Sequence, residues 1–284
     1  MRIAHFSDIH ALTLDGMKPW QWVSKRVAGY ANLLTKRRNR HPVALFEALV
    51  ADVDRLGVDE VVVTGDLTNL SLDGEYRQAK AILDRLRVGA GHVTVIPGNH
   101  DVYTLDALVG GGFQRVFAPY LASDERRAET FPVVRRRGDV AIIGISTARP
   151  SPVPLADGWV GRRQLAAVEQ ALAAHEGAFR VLLIHHPPVD NRWSILRGLR
   201  DRGALQKVLA RVGAELVLHG HEHRDIRTSL AGPHGEIPVI GVGSGSYDDR
   251  RPERRARYNV YTVARGALTG VETRVFDPAT RAFT

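Results

Sequence analysis

Five short apolar runs in this chain each break off into a cluster of polar residues, and that repeated punctuation constrains the fold more than any other feature. Ile3–Phe6 runs into Ser7-Asp8-Ile9-His10, Glu60–Thr64 into Gly65-Asp66-Leu67-Thr68-Asn69, and Val93–Ile96 into Pro97-Gly98-Asn99-His100-Asp101. Arg180–Ile184 runs into His185-His186-Pro187-Pro188, and Glu215–Leu218 into His219-Gly220-His221-Glu222-His223. Short runs rich in β-branched residues and bounded by Gly and Pro read as buried strands. Helical patterns lie between them: Val43–Leu56, Glu75–Leu86, Leu105–Phe117, a helix after Gly161 marked by Leu165, Val168 and Leu172, and Leu205–Val212. Strand and helix in alternation imply an α/β fold, with the polar clusters gathered at the carboxyl ends of the strands, where such sheets place their ligands.

After residue 223 the helical signal fades. Ile226–Leu230, Ile237–Val242, Tyr258–Val263 and Gly270–Phe276 read as strands, so a sheet-rich C-terminal part is expected to pack against the N-terminal sheet. No linker or repeat divides residues 1–284, and a single domain is expected. With 44% hydrophobic and 25% charged residues, whole-chain disorder and coiled coil are excluded. Cys is absent, which excludes disulfides and thiolate metal sites. The N-terminal stretch is too short and polar to read as a signal peptide, and no stretch approaches 18 uninterrupted apolar residues. A cytoplasmic location is expected.

The polar clusters deliver Asp8, His10, Asp66, Asn99, His185, His221 and His223, a set of oxygen and imidazole donors without sulfur that suits Mn, Fe or Zn. Seven donors exceed what one small ion uses, whereas a carboxylate shared by two divalent or mixed-valence ions accounts for them all. Two ions ~3.5–4 Å apart clamp the attacking and leaving oxygens of a phosphoryl displacement, and a hydroxide held between them is a nucleophile at neutral pH. Asp8 and His10, like His221 and His223, are two residues apart, so on extended backbone each pair points one way. Gly220 is expected to allow a tight turn before the second pair. His100 adjoins Asn99 and is a candidate general acid for the leaving oxygen, with Asp101 fixing its tautomer or raising its pKa. A lone His or Gly-Asp is more often a satisfied polar residue or a turn; it is the ordered set of five that carries the signal. His186 reads as structural, as substrate-facing or, the reading preferred, as a support behind the ligands, and His5 and His219 as packing or hydrogen-bonding near the sheet. His41, His92, His175 and His234 carry no signal.

Asp-x-His, Gly-Asp, Gly-Asn-His-Asp, His and Gly-His-x-His, in this order over residues 8–223, resemble the calcineurin-like metallophosphoesterases, and in particular bacterial class III cyclic-nucleotide-type phosphodiesterases. The resemblance implies a four-layer αββα sandwich of two mixed sheets flanked by helices. It implies one ion on Asp8, His10 and His223, a second on Asn99, His185 and His221, Asp66 as the bridge, and His100 on the phosphate or the leaving group. The function it implies is a dinuclear-metal phosphodiesterase acting on a small phosphoester.

Net charge is +8, and seven of the positive charges (Lys18, Lys25, Arg26, Lys36, Arg37, Arg38 and Arg40) fall between Gly16 and Phe46 with no acidic residue among them, which leaves +1 for the rest. The basic character therefore belongs to an insertion at about 15–42 rather than to a general nucleic-acid surface. Trp20, Val23, Val27, Tyr30, Ala31 and Leu34 lie at helical spacing within it, which fits either an ordinary packed helix or a lid or membrane-surface helix over residues 17–40. The second fit points to an alternative function resembling the UDP-2,3-diacylglucosamine diphosphatases at the inner membrane surface, although a well-known branch of those enzymes has Arg where His100 stands. A DNA nuclease and a non-catalytic scaffold are further readings; the first lacks the capping and coiled-coil parts of its branch, and the second is opposed by the retention of every ligand. Another basic run, Arg250-Arg251-Pro252-Glu253-Arg254-Arg255, reads as solvated charge or as a pocket lining.

Overall fold

The computed structural model describes residues 1–15, 17, 21, 26, 40–125, 130–190 and 194–284. The helix expected within 17–40, and with it the choice between a packed helix, a lid and a membrane anchor, falls almost wholly outside the described residues. Arg26, which is described, is buried: its guanidinium donates to the carbonyls of Leu70 and Ser71 and pairs with Asp106 at 2.9 Å.

Twelve strands form two six-stranded sheets. The first holds β1 (Arg2–Phe6), β2 (Glu60–Val63), β3 (Val93–Val95), β10 (Arg257–Ala264), β11 (Ala267–Asp277) and β12 (Ala282–Phe283) in the order β12-β11-β10-β1-β2-β3. The second holds β4 (Val133–Arg137), β5 (Val140–Gly144), β6 (Phe179–Leu183), β7 (Leu216–His219), β8 (Ile226–Gly232) and β9 (Gly235–Gly241) in the order β4-β5-β6-β7-β9-β8. β1, β2 and β3 are parallel, as are β5, β6, β7 and β9, while β10 runs antiparallel to β1. Both sheets are therefore mixed.

The layer order follows from the period-two alternation of strand side chains. In β1 and β2, Ala4, Phe6, Val61 and Val63 face helices α1 (Val43–Leu56) and α2 (Asp73–Leu83), packing on Leu45, Leu49, Val53 and Ile82. Ile3 and Val62 face the other sheet, where Val181, Leu183, Leu216 and Leu218 meet them. The alternate residues Leu182 and Val217 point outward to α3 (Arg162–Ala174) and α4 (Arg202–Val212) through Val168, Leu172, Leu205 and Leu209. Strands buried on both faces are continuously apolar, which is why the runs stand out in the sequence. Three apolar layers, helix on sheet, sheet on sheet and sheet on helix, make the αββα sandwich.

Three expectations are corrected. The C-terminal strands do not form one unit: β8 and β9 extend the second sheet, and β10–β12 extend the first. The helix expected over Leu105–Phe117 is two short helices, Leu105–Gly110 and Gly112–Val116, divided where Gly111 takes a left-handed φ of 59°. β4 and β5 lie outside the expected strands: the Val-Val-Arg-Arg-Arg of β4 lacks a strand pattern, whereas the Val-Ala-Ile-Ile-Gly of β5 has one; Arg135 is nonetheless buried, its guanidinium donating to the carbonyls of Ala90, Gly91 and Pro119. Among the described residues no helix is long and apolar enough to cross a membrane.

Candidate metal centre

The carboxyl ends of β1, β2 and β3 in one sheet and of β6 and β7 in the other open on the same edge, so the five polar clusters meet over both sheets. All seven expected ligands come together there. Their backbone is not the extended one that the spacing suggested: Asp8, His10, Asp66, His221 and His223 have φ between 51° and 72°, and only three other non-glycine residues described take positive φ. Left-handed backbone costs a non-glycine residue of order 1–3 kcal/mol and persists where the surroundings over-determine it. Here they do. The amides of Asp8, His10 and Ala11 donate to the carbonyls of Gly65, Asp66 and Leu67, zipping the first loop to the second. Asn69 Nδ2 donates to the His10 carbonyl at 2.8 Å, Ser244 Oγ to that of Asp8 at 2.6 Å, and Ser246 Oγ to that of Ile9. Ser244 and Ser246 carry no signal in the sequence; their role depends on the segment between β9 and β10 running beside the end of β1, where Ser244 bridges to Ser7.

Two glycines let the loops close. Gly220 begins the tight turn expected, the Glu222 amide donating back to its carbonyl at 2.9 Å, and it also serves close approach, since a Cβ there would overlap the Ser7 hydroxyl and the Asp8 carboxylate. At Gly98 a Cβ would strike Asp66 Oδ1 and the His185 ring.

Ligand atoms group in two halves around Asp66. Asp66 Oδ1 accepts the His100 amide at 2.8 Å, which turns Oδ2 to lie 3.4 Å from His185 Nε2 and 3.9 Å from His10 Nε2. On one side His10 Nε2 and His223 Nε2 are 3.0 Å apart, and Asp8 Oδ1 is 3.2 Å from His223 Nε2. On the other, His185 Nε2 is 3.3 Å from Asn99 Oδ1. These residues fit metal ions. Ligand atoms at ~2.0–2.2 Å from a common centre stand about 3 Å apart when cis, which is the spacing found. Asp8 Oδ1 is buried and accepts no hydrogen bond, the state of an oxygen reserved for a cation. Ligating imidazoles fix their tautomer by donating from the far nitrogen, and His185 Nδ1 lies 2.6 Å from the Thr64 carbonyl while His221 Nε2 lies 2.8 Å from that of Arg197.

Electrostatics favour the same reading. Burial alone would raise the Asp8 and Asp66 carboxyls, but the imidazoles of His223 and His185 outweigh it and hold both below the usual range. Desolvation and the neighbouring His185 push His221 down to about 3, keeping it in the neutral form that ligates. At His185 desolvation opposes charge, yet Asp66 and Asp8 prevail and raise it to about 9. That carboxylate field is what a cation would experience in the proton's place.

His100 Nδ1 faces the Asn69 carbonyl at 2.8 Å, so the backbone at Asn69 sets its tautomer rather than Asp101. Asp101 is spent elsewhere: its oxygens accept from the amides of Leu67, Thr68 and Gly98 and from the Thr68 hydroxyl, tying the β2 loop to the β3 loop. Burial and Asp66 raise its carboxyl to about 7. His186 sits behind the ligands, its ring 4.3 Å from that of His221 and its Nδ1 2.7 Å from Thr147 Oγ1. His5 Nε2 bonds Thr64 at 2.8 Å between the sheets. His41, unmarked in the sequence, is buried 4.8 Å from the His10 ring with Nδ1 on Ser246 Oγ at 2.8 Å. Only the tertiary contact reveals it.

The centre floors a pocket of ≈ 630 Å³, lined by His100, His221 and His223 below and by Tyr103, Tyr247 and several arginines above. Arg254 of the second basic run is among that lining.

A sequence model of the calcineurin-like phosphoesterases matches residues 1–225. A probable cyclic nucleotide phosphodiesterase of Rhodococcus erythropolis is 26% identical over 192 residues, 66% of this chain and 58% of that protein. A glycerophosphodiester phosphodiesterase of Enterobacter lignolyticus is 29% identical over 131 residues, 46% of this chain and 42% of that protein. The chain thus spans about half the length of these curated relatives. Among solved structures, a dimetal phosphatase from Danio rerio superposes with a TM-score of 0.61 over 98% of this chain and 99% of its own; at 14% identity it shows the fold alone.

Proposed function

This chain belongs to the calcineurin-like phosphoesterase family, and on that premise we propose that it hydrolyses phosphodiesters at a dinuclear metal centre. The observation that carries the reading is Asp66 Oδ2, freed by the bond of its partner oxygen to the His100 amide and set between His185 and His10. Asp8, His10 and His223 would hold one ion, Asn99, His185 and His221 the other, and Asp66 both. Two such ions, when bound, lower the pKa of water and neutralise charge developing on a phosphoryl group. The protein's own part is positioning. The left-handed loops keep the donors convergent before substrate arrives, which spares reorganisation during the reaction. His100, with Nδ1 committed to the Asn69 carbonyl, presents Nε2 to contact the phosphate or to protonate the departing oxygen. Asp101 positions His100 indirectly, by fixing the loop that carries it. Both curated relatives are named as phosphodiesterases, which favours a diester over a monoester.

Manganese-loaded protein is expected to carry about two ions per chain and to cleave bis(p-nitrophenyl) phosphate faster than p-nitrophenyl phosphate. Protein that takes up no ion and cleaves neither ester would overturn the proposal; a preference for the monoester would make it a phosphatase.

A further inference from the structure

The pocket above the metal centre carries charge that the reaction at its floor does not use. Arg149, Arg197, Arg224 and Arg254 line it against two acidic lining residues, Asp66 and Glu222, and Asp66 belongs to the metal centre. Arg149 lies 3.8 Å from Asp157. Arg197, Arg224 and Arg254 are exposed and have no acidic partner within 4 Å among the described residues. Two acids near them in the chain are committed elsewhere, Asp225 to Arg257 and Asp249 to Arg40 and Arg251, and neither Glu222 nor Glu253, close to Arg224 and Arg254 in the chain, comes within 4 Å of these guanidinium groups. Two of the three are anchored to the ligand loops, Arg224 following His223 and Arg197 accepting His221 Nε2 on its carbonyl. Gathering unpaired guanidinium groups beside a site built for two cations is electrostatically unfavourable. A bound anion relieves it. The phosphate at the metals accounts for charge at the floor, not at the mouth.

We propose that Arg197, Arg224 and Arg254 form a subsite for a second anionic group, so that the substrate is a phosphodiester bearing a further phosphate. Planar, always-charged guanidinium groups suit the bidentate recognition of phosphate oxygens. The inference rests on the phosphodiesterase reading for its substrate but is tested by binding alone. Binding to metal-loaded protein is measured for adenosine 5′-monophosphate against adenosine 3′,5′-bisphosphate, and for glycerol 3-phosphate against glycerol 1,3-bisphosphate. The bisphosphate is expected to bind about tenfold tighter, with a steeper loss of affinity as salt is added. Tighter binding in both arms assigns the subsite to phosphate alone; tighter binding only in the first shows that the nucleoside is needed to place it. Arg197→Gln/Arg224→Gln/Arg254→Gln is expected to equalise the two ligands, and Arg250→Gln, which removes an exposed cation from the neighbouring run, to leave the difference in place. Equal binding of mono- and bisphosphate by the unaltered protein, or a preference that survives the triple substitution, overturns the subsite. A preference that persists in protein unable to cleave any diester sinks the hydrolase reading and leaves the subsite standing.

Discussion

The floor and the mouth of the same pocket are built by opposite rules. At the floor Asp8, His10, Asp66, Asn99 and His185 are buried, and left-handed backbone at Asp8, His10 and Asp66 is held by neighbouring amides, carbonyls and hydroxyls. At the mouth Arg197 and Arg254 stand exposed at the ends of two short helices, Ser194–Arg197 and Pro252–Arg254, and Arg224 stands exposed in the turn after His223. The difference separates two tasks. Ligand atoms must be placed to within fractions of an ångström before substrate arrives, and only over-determined backbone does that. Recognition of a variable anionic group tolerates long side chains that settle on binding.

Substitutions can break that division, and the largest effect is expected at its centre. Asp66→Asn removes the shared carboxylate, and metal analysis is expected to find no more than about one ion per chain, with diester turnover lost; two retained ions would mean that Asp66 does not bridge. His100→Asn is expected to keep the metal content but lower kcat by about 10²–10⁴-fold, the usual worth of a positioned proton donor, with the alkaline limb of the kcat profile altered. Ser244→Ala removes the donor to the Asp8 carbonyl without touching a ligand. It is expected to weaken metal affinity by about 10–100-fold, as outer partners of ligands do, in a metal titration; unchanged affinity would show that the strained loop needs no such brace. The mouth substitutions proposed above are expected to change ligand preference by about tenfold and to spare metal content, which sharpens the contrast.

A smaller effect is expected beneath the floor. Glu75 is buried in α2, its Oε2 accepting the amides of Leu70 and Leu72 in the loop that follows Asn69. Burial, opposed by those amides, pushes its carboxyl up to about 8 from an ordinary 4.5. The folded chain therefore keeps a proton that the unfolded chain gives up above pH 4.5. Stability is lost as pH rises through the window from 4.5 to about 8, by up to about 1.4 kcal/mol per pH unit from this group. Glu75→Gln is expected to flatten that part of the profile, measured as denaturation midpoints of both proteins at pH 5 and pH 7.5. Parallel profiles would place the proton elsewhere.

Much of this was legible in advance, for a local reason. A strand buried on both faces must be apolar, so Val61–Val63, Val181–Leu183 and Leu216–Leu218 announced themselves, and the polar cluster that follows each held a donor. α1 was read to its end residues, Val43 and Leu56. β4 was invisible because Arg135 is buried through carbonyls contributed by the β3 approach and the 118–120 turn, none of which its own segment reveals. Asp8 and His10 converge as their spacing predicts, but on left-handed rather than extended backbone. Asp101 was placed on His100 because it is adjacent, whereas its oxygens reach back to the β2 loop.

By itself the sequence determined the donor set, its order along the chain and the kind of fold that would gather it, because side-chain chemistry and strand patterning are properties of a few consecutive residues. The tertiary structure decided which carbonyls hold the imidazoles of His100, His185 and His221, which hydroxyls hold the strained loops, that His41 stands beside His10, and that three separate segments leave arginines without an acidic partner, among the described residues, around one opening. Those arrangements join residues as much as 237 positions apart, and only the packing of the two sheets brings them within reach of one another.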